Sequence, residues 1–225
     1  MEQLAVMSVI PFTIRPMKPA DVPTVMMIDR MSFPTPWPPS SYMYELQHPN
    51  HSRYYTLLKP APSTPPPSSL AKEWVQQLRT VLFGREIQKS RVIGYVGFRF
   101  QSHPRPHEAH ISTIAVHPDW RGRHLGELLF LVAIEEALNL GVQTISLEVR
   151  PSNQIAQRLY AKYGFQFTGV NRGYYRDGED AWLMAVNVSH PAYRSRLGAL
   201  RQALLSYFQT DEEEGLAPQE TVLIP

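Results

Sequence analysis

The sequence predicts an α/β domain built on a mixed sheet, and three observations carry that expectation. The middle of the chain alternates between a two-residue and a 3.6-residue apolar period, in the order strand, helix, strand, helix, strand. Apolar residues make up 43% of the 225 residues, an ordinary share for a folded soluble chain. No stretch approaches the roughly 20 apolar residues that span a bilayer. The chain has no cysteine, so disulfide staples, zinc–thiolate sites and a covalent thiol are excluded.

Taken in order, Phe12 to Arg15 alternates as a short strand. Ala20 to Met31 reads as a helix with Val22, Val25, Met26 and Ile28 on one stripe. Prolines crowd residues 33–40 and exclude helix interior there, while Ser40 or Ser41 is placed to cap a second helix ending near His48. Tyr54 to Leu58 reads as a strand. Residues 60–69, PAPSTPPPSS, have the composition of a linker or exposed loop, and Leu70 to Phe83 follows a helical pattern. Together they predict an insertion over about 59–90. Arg91 to Phe100 and Ala109 to Val116 are the next strands. Leu125 to Leu140 has a helix period with Gly141 where a C-terminal cap belongs, and Ile145, Leu147 and Val149 alternate with polar residues. Ser152 is placed to cap a helix carrying Ala156, Leu159, Tyr160 and Tyr163, stopped by Gly164. Strands near Phe165 to Gly169 and Ala181 to Val188 flank the polar turn NRGYYRDGED. A last helical pattern runs from Tyr193 to Phe208, and the acidic DEEEGLAPQE beyond it reads as a mobile tail.

The charge balance, formally +2, is too small to argue for nucleic acid. The opening residues lack a basic leader and a small-residue cleavage site, which predicts a soluble, cytoplasmic protein with no membrane partner. The most informative segment is HPDWRGRHLGELL, residues 117–129. A strand ends, a basic glycine-containing loop follows and a helix begins. The first turn of a helix carries unpaired N–H groups and a partial positive charge, so a phosphate or pyrophosphate fits there. A plain basic strand–helix turn fits equally well. The segment is neither the P-loop pattern nor GxGxxG. In LEVRPSNQIAQRLYAKYGF, residues 147–165, Glu148 lies on the polar side of an apolar strand. Asn153 and Tyr160 share a helix face roughly 10 Å apart along the axis. A solvated carboxylate, a helix cap and a packed ring are the plain alternatives for these three.

The order of IAV closing a strand, RGRHLG opening a helix, LEVRPSN and then LYAKYGF resembles the GNAT acetyltransferases. Within them it is most similar to the bacterial ribosomal-protein alanine N-acetyltransferases. The match extends back to FPTPWP and forward to NRGYYRDGEDAWLM, so it covers most of residues 12–188, with 189–225 as a helix and tail beyond it. The resemblance implies a mostly antiparallel twisted sheet with helices on both faces and a central parallel strand pair. It implies acetyl-CoA as donor and a protein N-terminal α-amine as acceptor. Ile114, Ala115 and Val116 would present backbone to the pantetheine arm. Arg121, Gly122, Arg123, His124, Leu125 and Gly126 would hold the pyrophosphate by main-chain N–H groups, and Asn153 would bind farther along the arm. Glu148 would be the general base and Tyr160 the general acid. Phe33 and Trp37, with Tyr174 and Tyr175, would line the acceptor groove.

An α-amine, with a reference pKa of ~7.7–8.0, needs only a modest base. Backbone donors at the strand end suit a developing oxyanion, and a tyrosine can protonate the leaving thiolate. Without cysteine, direct transfer in a ternary complex is expected. His124 departs from the family pattern, standing where its first glycine belongs; there it either donates a hydrogen bond or crowds the cofactor. Two other activities stay open: acetylation of a small free amine, or a non-catalytic acyl-CoA-binding module. His103, His107, Glu108 and His110 match no usual zinc spacing, and no metal is expected.

Overall fold

The computed structural model describes residues 12–59, 92–100 and 107–214. The expected insertion helix at Leu70 to Phe83, the QSHPRP turn with His103, and the tail beyond Glu214 lie outside them. Seven strands form one sheet in the order β1-β2-β3-β4-β5-β7-β6. They are β1 (Thr13–Pro16), β2 (Ser52–Leu58), β3 (Val92–Phe100), β4 (Glu108–Val116), β5 (Thr144–Val149), β6 (Gln166–Asn171) and β7 (Ala181–Asn187). All neighbours pair antiparallel except β4 with β5, which are parallel and central. A parallel pair needs a crossover, and the helix α3 (Leu125–Asn139) supplies it.

Each face of the sheet has its own core. On one face α3 buries Leu125, Leu129, Phe130 and Ile134 against Val96, Phe98, Ile111, Ile145 and Leu147. Fully burying each such side chain stabilises by about 1.5–3 kcal/mol. The helix α4 (Gln154–Lys162) adds Tyr160 to this layer, and α5 (Pro191–Glu214) adds Leu197, Leu204 and Phe208. On the opposite face α1 (Val22–Ser32) and α2 (Pro39–Gln47) pack Val25, Ile28 and Tyr42 on Tyr54 and Tyr95. A buried polar knot fixes this side. Tyr95 gives its hydroxyl proton to Asp29, which is 1% exposed, and the Trp37 N–H donates to the same carboxylate at 2.9 Å. The Tyr42 and Tyr95 hydroxyls meet at 3.0 Å.

Several boundaries differ from expectation for local reasons. Pro38 is the N-cap of α2 and Pro39 its first residue, so Ser40 and Ser41 lie inside the first turn rather than capping it. Proline at that position loses nothing, because the first N–H of a helix has no partner anyway. Asn153, not Ser152, caps α4, its side-chain oxygen accepting from the Ala156 N–H at 3.2 Å. The last helix continues through Glu214, so DEEE at 211–214 belongs to it and is not a tail. No helix among the described residues is long and apolar enough to cross a membrane.

Candidate active site

The parallel pair comes apart before it ends. Pairing of β4 with β5 stops at Ile111↔Leu147, whereas β3 follows β4 to Gly94↔Val116. Glu148 and Val149 pair only on their other side, with Leu183 and Trp182 of β7. A bulge skips Ser112 in the β3–β4 ladder and strengthens the local twist that opens this gap. Ile114, Ala115 and Val116 therefore run along one side of a split with a backbone edge that β5 does not use.

The split leads into the loop between β4 and α3. After a 3-10 turn at Pro118–Trp120, Gly122 takes φ 77° and His124 φ 54° before α3 begins. Glycine reaches that backbone region without strain. Among the described residues, no hydrogen bond engages the N–H groups from Gly122 through Glu127. These donors, including those of Arg123, Leu125 and Gly126, converge at the positive end of a helix of 15 residues. The main-chain donor expected at Arg121 is already used, because its N–H donates to the Pro118 carbonyl at 3.1 Å. Its guanidinium bonds back to the protein, Nε donating to the Val116 carbonyl at 3.0 Å and Nη2 to Ser32 Oγ at 2.8 Å. Arg123 lies over the Trp120 ring, 5.1 Å from its centroid.

The His124 side chain is engaged by neighbouring helices. Its Nδ1 lies 3.1 Å from Glu127 Oε2 and its ring lies 4.5 Å from that of Tyr207. Glu127, 6% exposed, also accepts from Lys162 Nζ at 2.5 Å and Tyr163 Oη at 3.1 Å. Burial pushes this carboxyl up, but His124, Lys162 and Tyr163 outweigh it and hold the pKa at about 2. A pKa below the unfolded value of 4.5 gives stability that is full above pH 4.5 and lost as pH falls toward 2. Glu127→Gln should therefore melt at a lower temperature than wild type at pH 7. The two melting curves should converge near pH 2; a gap that stays constant across this window would show that the ion cluster is not its source.

Across the split, Glu148 sits in a polar row that no short sequence pattern reveals. His110 Nε2 lies 2.8 Å from Glu148 Oε2, and His110 Nδ1 lies 3.1 Å from Ser146 Oγ. Ser146 in turn donates to Glu108 Oε1 at 2.7 Å, where the row meets solvent. The register His110↔Ser146 puts these side chains on one face of neighbouring strands. His110, considered above only as a metal ligand, is thus the immediate partner of Glu148. No group of three or more His, Cys, Asp or Glu among the described residues could hold a metal ion. The same face opens into a cavity of about 930 Å³ lined by Tyr44, Glu45, His48, His51, Arg99, Glu108 and His110.

The four aromatic positions approach from both sides. Phe33 and Trp37 pack against the α1–α2 core, Trp37 under the Arg99 guanidinium at 5.4 Å. Tyr174 and Tyr175 stand edge to face at 5.1 Å in the β6–β7 turn. Arg150 holds that turn down, bonding Asp177 at 2.8 Å and Glu179 at 2.6 Å, with its guanidinium 3.7 Å from the Tyr175 ring centroid. Opposite charges at Arg150 and in RDGED were the available signal for it. Burial raises the Tyr174 hydroxyl, and the neighbouring Glu148 carboxylate raises it further. Tyr175 is pushed up to about 12, again chiefly by burial. Tyr160 is 6% exposed between Phe130 and Phe165, at centroid distances of 4.9 and 6.2 Å, and burial, then Tyr175, raises its hydroxyl well above the usual range. Asn153 lies exposed at the mouth of α4 with its carbonyl oxygen committed to the cap.

Comparison with known proteins agrees with this architecture. Residues 26–165, more than half of the chain, match the family described as Acetyltransferase (GNAT) family. A Bacillus subtilis protein, provisionally named a ribosomal protein bS18-alanine N-acetyltransferase, is 31% identical over 78% of this chain and 95% of its own length. The crystal structure of the ribosomal-protein-S18-alanine N-acetyltransferase from Escherichia coli superposes with a TM-score of 0.58 at 26% identity, over 80% of this chain and 95% of that one. Arabidopsis thaliana NAA60 in complex with acetyl-CoA shares the fold, with a TM-score of 0.61 at 15% identity, over 80% of this chain and 99% of that one.

Proposed function

We propose, for a chain that belongs to the acetyltransferase (GNAT) family, that it moves the acetyl group of acetyl-CoA onto the N-terminal α-amine of a ribosomal protein. One observation carries the reading. The free edge of β4 runs from Ser112 to Val116 straight into the donor-rich loop at Gly122 to Glu127, and Glu148 faces the opening of the split. An arm carrying amide groups can add to that edge as a strand does, with its diphosphate against the loop. The thioester then lies between β4 and β5, beside Glu148.

The residues around it suit direct transfer. Glu148 takes the amine proton, directly or through one water. The distances along His110, Ser146 and Glu108 allow that proton to reach solvent. The amine nitrogen bonds to the acetyl carbon, and a backbone N–H of β4 stabilises the oxyanion that forms. The carbon–sulfur bond breaks, and Tyr160, kept protonated by its burial, gives its proton to the thiolate, while the second proton shed by the acylated nitrogen restores the Tyr160 hydroxyl. Asn153 contributes its free amide N–H groups to the arm.

The acceptor enters from the face of α1 and α2. A cavity of about 930 Å³, walled by Tyr44, Arg99 and His110, accommodates several residues of a peptide rather than one small amine. Trp37 lies under Arg99 of its wall, and on this reading Phe33, Tyr174 and Tyr175 complete the path of the peptide. The catalytic domain on this reading spans 12–188, with α5 as an addition packed on its far face, and a ribosomal acceptor places the enzyme in the cytoplasm.

Peptides with different first residues, incubated with acetyl-CoA and read by mass, test the proposal. An alanine-starting peptide should gain an acetyl group faster than the others, while amino acids, polyamines and aminoglycosides remain unmodified. Transfer to the small amines alone would replace the protein acceptor with a metabolite. Binding of CoA without transfer to any acceptor would leave a non-catalytic module.

A further inference from the structure

His124 is, among the described residues, the one residue other than glycine with a left-handed backbone, at φ 54°. A side chain disfavours that region, so the turn needs restraint from outside itself. Two contacts provide it. One is the bond from Nδ1 to Glu127 Oε2 at 3.1 Å, with Glu127 fixed by Lys162 and Tyr163 at the end of α4. The other is the Tyr207 ring of α5, 4.5 Å away and tilted at 58°.

The rest of α5 brackets the same loop. Phe208 meets Phe12 at 6.1 Å, Phe12 meets Trp120 at 6.0 Å, and Arg123 rests on Trp120. Leu197, Leu204 and Phe208 already bury the helix in the core, whereas Tyr207 is half-buried and faces the loop. From this we infer that Tyr207, acting through His124, is a positioning residue for the diphosphate loop, so that the C-terminal helix sets the affinity for acetyl-CoA. The inference rests on the cofactor reading above. A histidine supported by a ring from a later helix takes the place of a glycine that needs no support. The N–H groups from Gly122 to Glu127 converge only while that turn holds, so loosening it costs cofactor binding before it costs the fold.

The test measures the dissociation constant of CoA by calorimetry, together with thermal unfolding, for wild type, Tyr207→Ala and Tyr207→Leu. Each substitution is also made in a His124→Gly background. Both Tyr207 variants should weaken CoA binding about three- to tenfold and raise KM for acetyl-CoA but not for the peptide. Adding them to His124→Gly should weaken binding no further, because glycine holds the turn unaided. Leucine keeps most of the packing volume, so Tyr207→Leu decides the matter if Tyr207→Ala does not fold. A Tyr207→Leu constant equal to that of wild type overturns the inference, as does the same loss in both backgrounds. Wild type that binds no CoA overturns the cofactor reading itself.

Discussion

Glu148→Gln should lower kcat by about 10²- to 10³-fold at pH 7 with acetyl-CoA binding little changed. General bases contribute on the order of 10²–10⁴, and the amine here supplies part of its own deprotonation. Glutamine keeps the size and an acceptor oxygen for His110 Nε2, 2.8 Å from the native carboxylate, so the β4–β5 split keeps its shape. The loop from Gly122 to Glu127 lies at the far end of β4, which is why cofactor affinity should be spared. The defect should also shrink as pH rises through the amine's own range, about 7.7–8.0, where a base is no longer needed. Steady-state kinetics from pH 6 to 9 would show this as a variant profile climbing toward that of wild type. Undiminished turnover in the variant would remove Glu148 from the chemistry.

Tyr160→Phe should cost kcat about 10²-fold while leaving the melting temperature within a degree or two. The ring is held by Phe130 and Phe165, contacts that phenylalanine keeps. Its hydroxyl makes no hydrogen bond with the protein among the described residues, so its removal leaves no partner unpaired. Burial holds the hydroxyl protonated, as a donor to a departing thiolate requires. The assignment fails if turnover and stability fall together, since that is the mark of a packing residue. It fails equally if neither changes.

Much of the fold was legible because local signals and tertiary demands agree. The seven apolar positions from Leu125 to Leu140 could serve only a helix against a sheet, and that helix buries Leu125, Leu128 and Leu129. Glu148 was legible as the polar member of an apolar strand. What the sequence could not show depends on register and side-chain direction. His110 and Glu148 are far apart along the chain, and only the parallel pairing brings them to 2.8 Å. Asp29 carries no sequence signal of its own, yet it fastens Trp37 to Tyr95 in the core. Arg121 was expected to offer a main-chain N–H to the pyrophosphate, but that N–H donates to Pro118 and its side chain ties Val116 to Ser32. At His124 residue type alone argued against a glycine-like turn, and the restraint that permits it comes from a helix more than 80 residues later.

The way β4 parts from β5 also bears on solubility. Backbone donors and acceptors left along the inner side of a strand are a template for any extended chain, including another copy of the protein, and sheet proteins commonly shield such edges to avoid aggregation. On the proposed reading the shield would be neither a proline nor a lysine but the substrate. Acetyl-CoA seated along Ser112 to Val116 would cap that template and, by mass action, favour the folded monomer over clumping. Cofactor supply would then govern how long the enzyme stays dispersed as well as how fast it turns over.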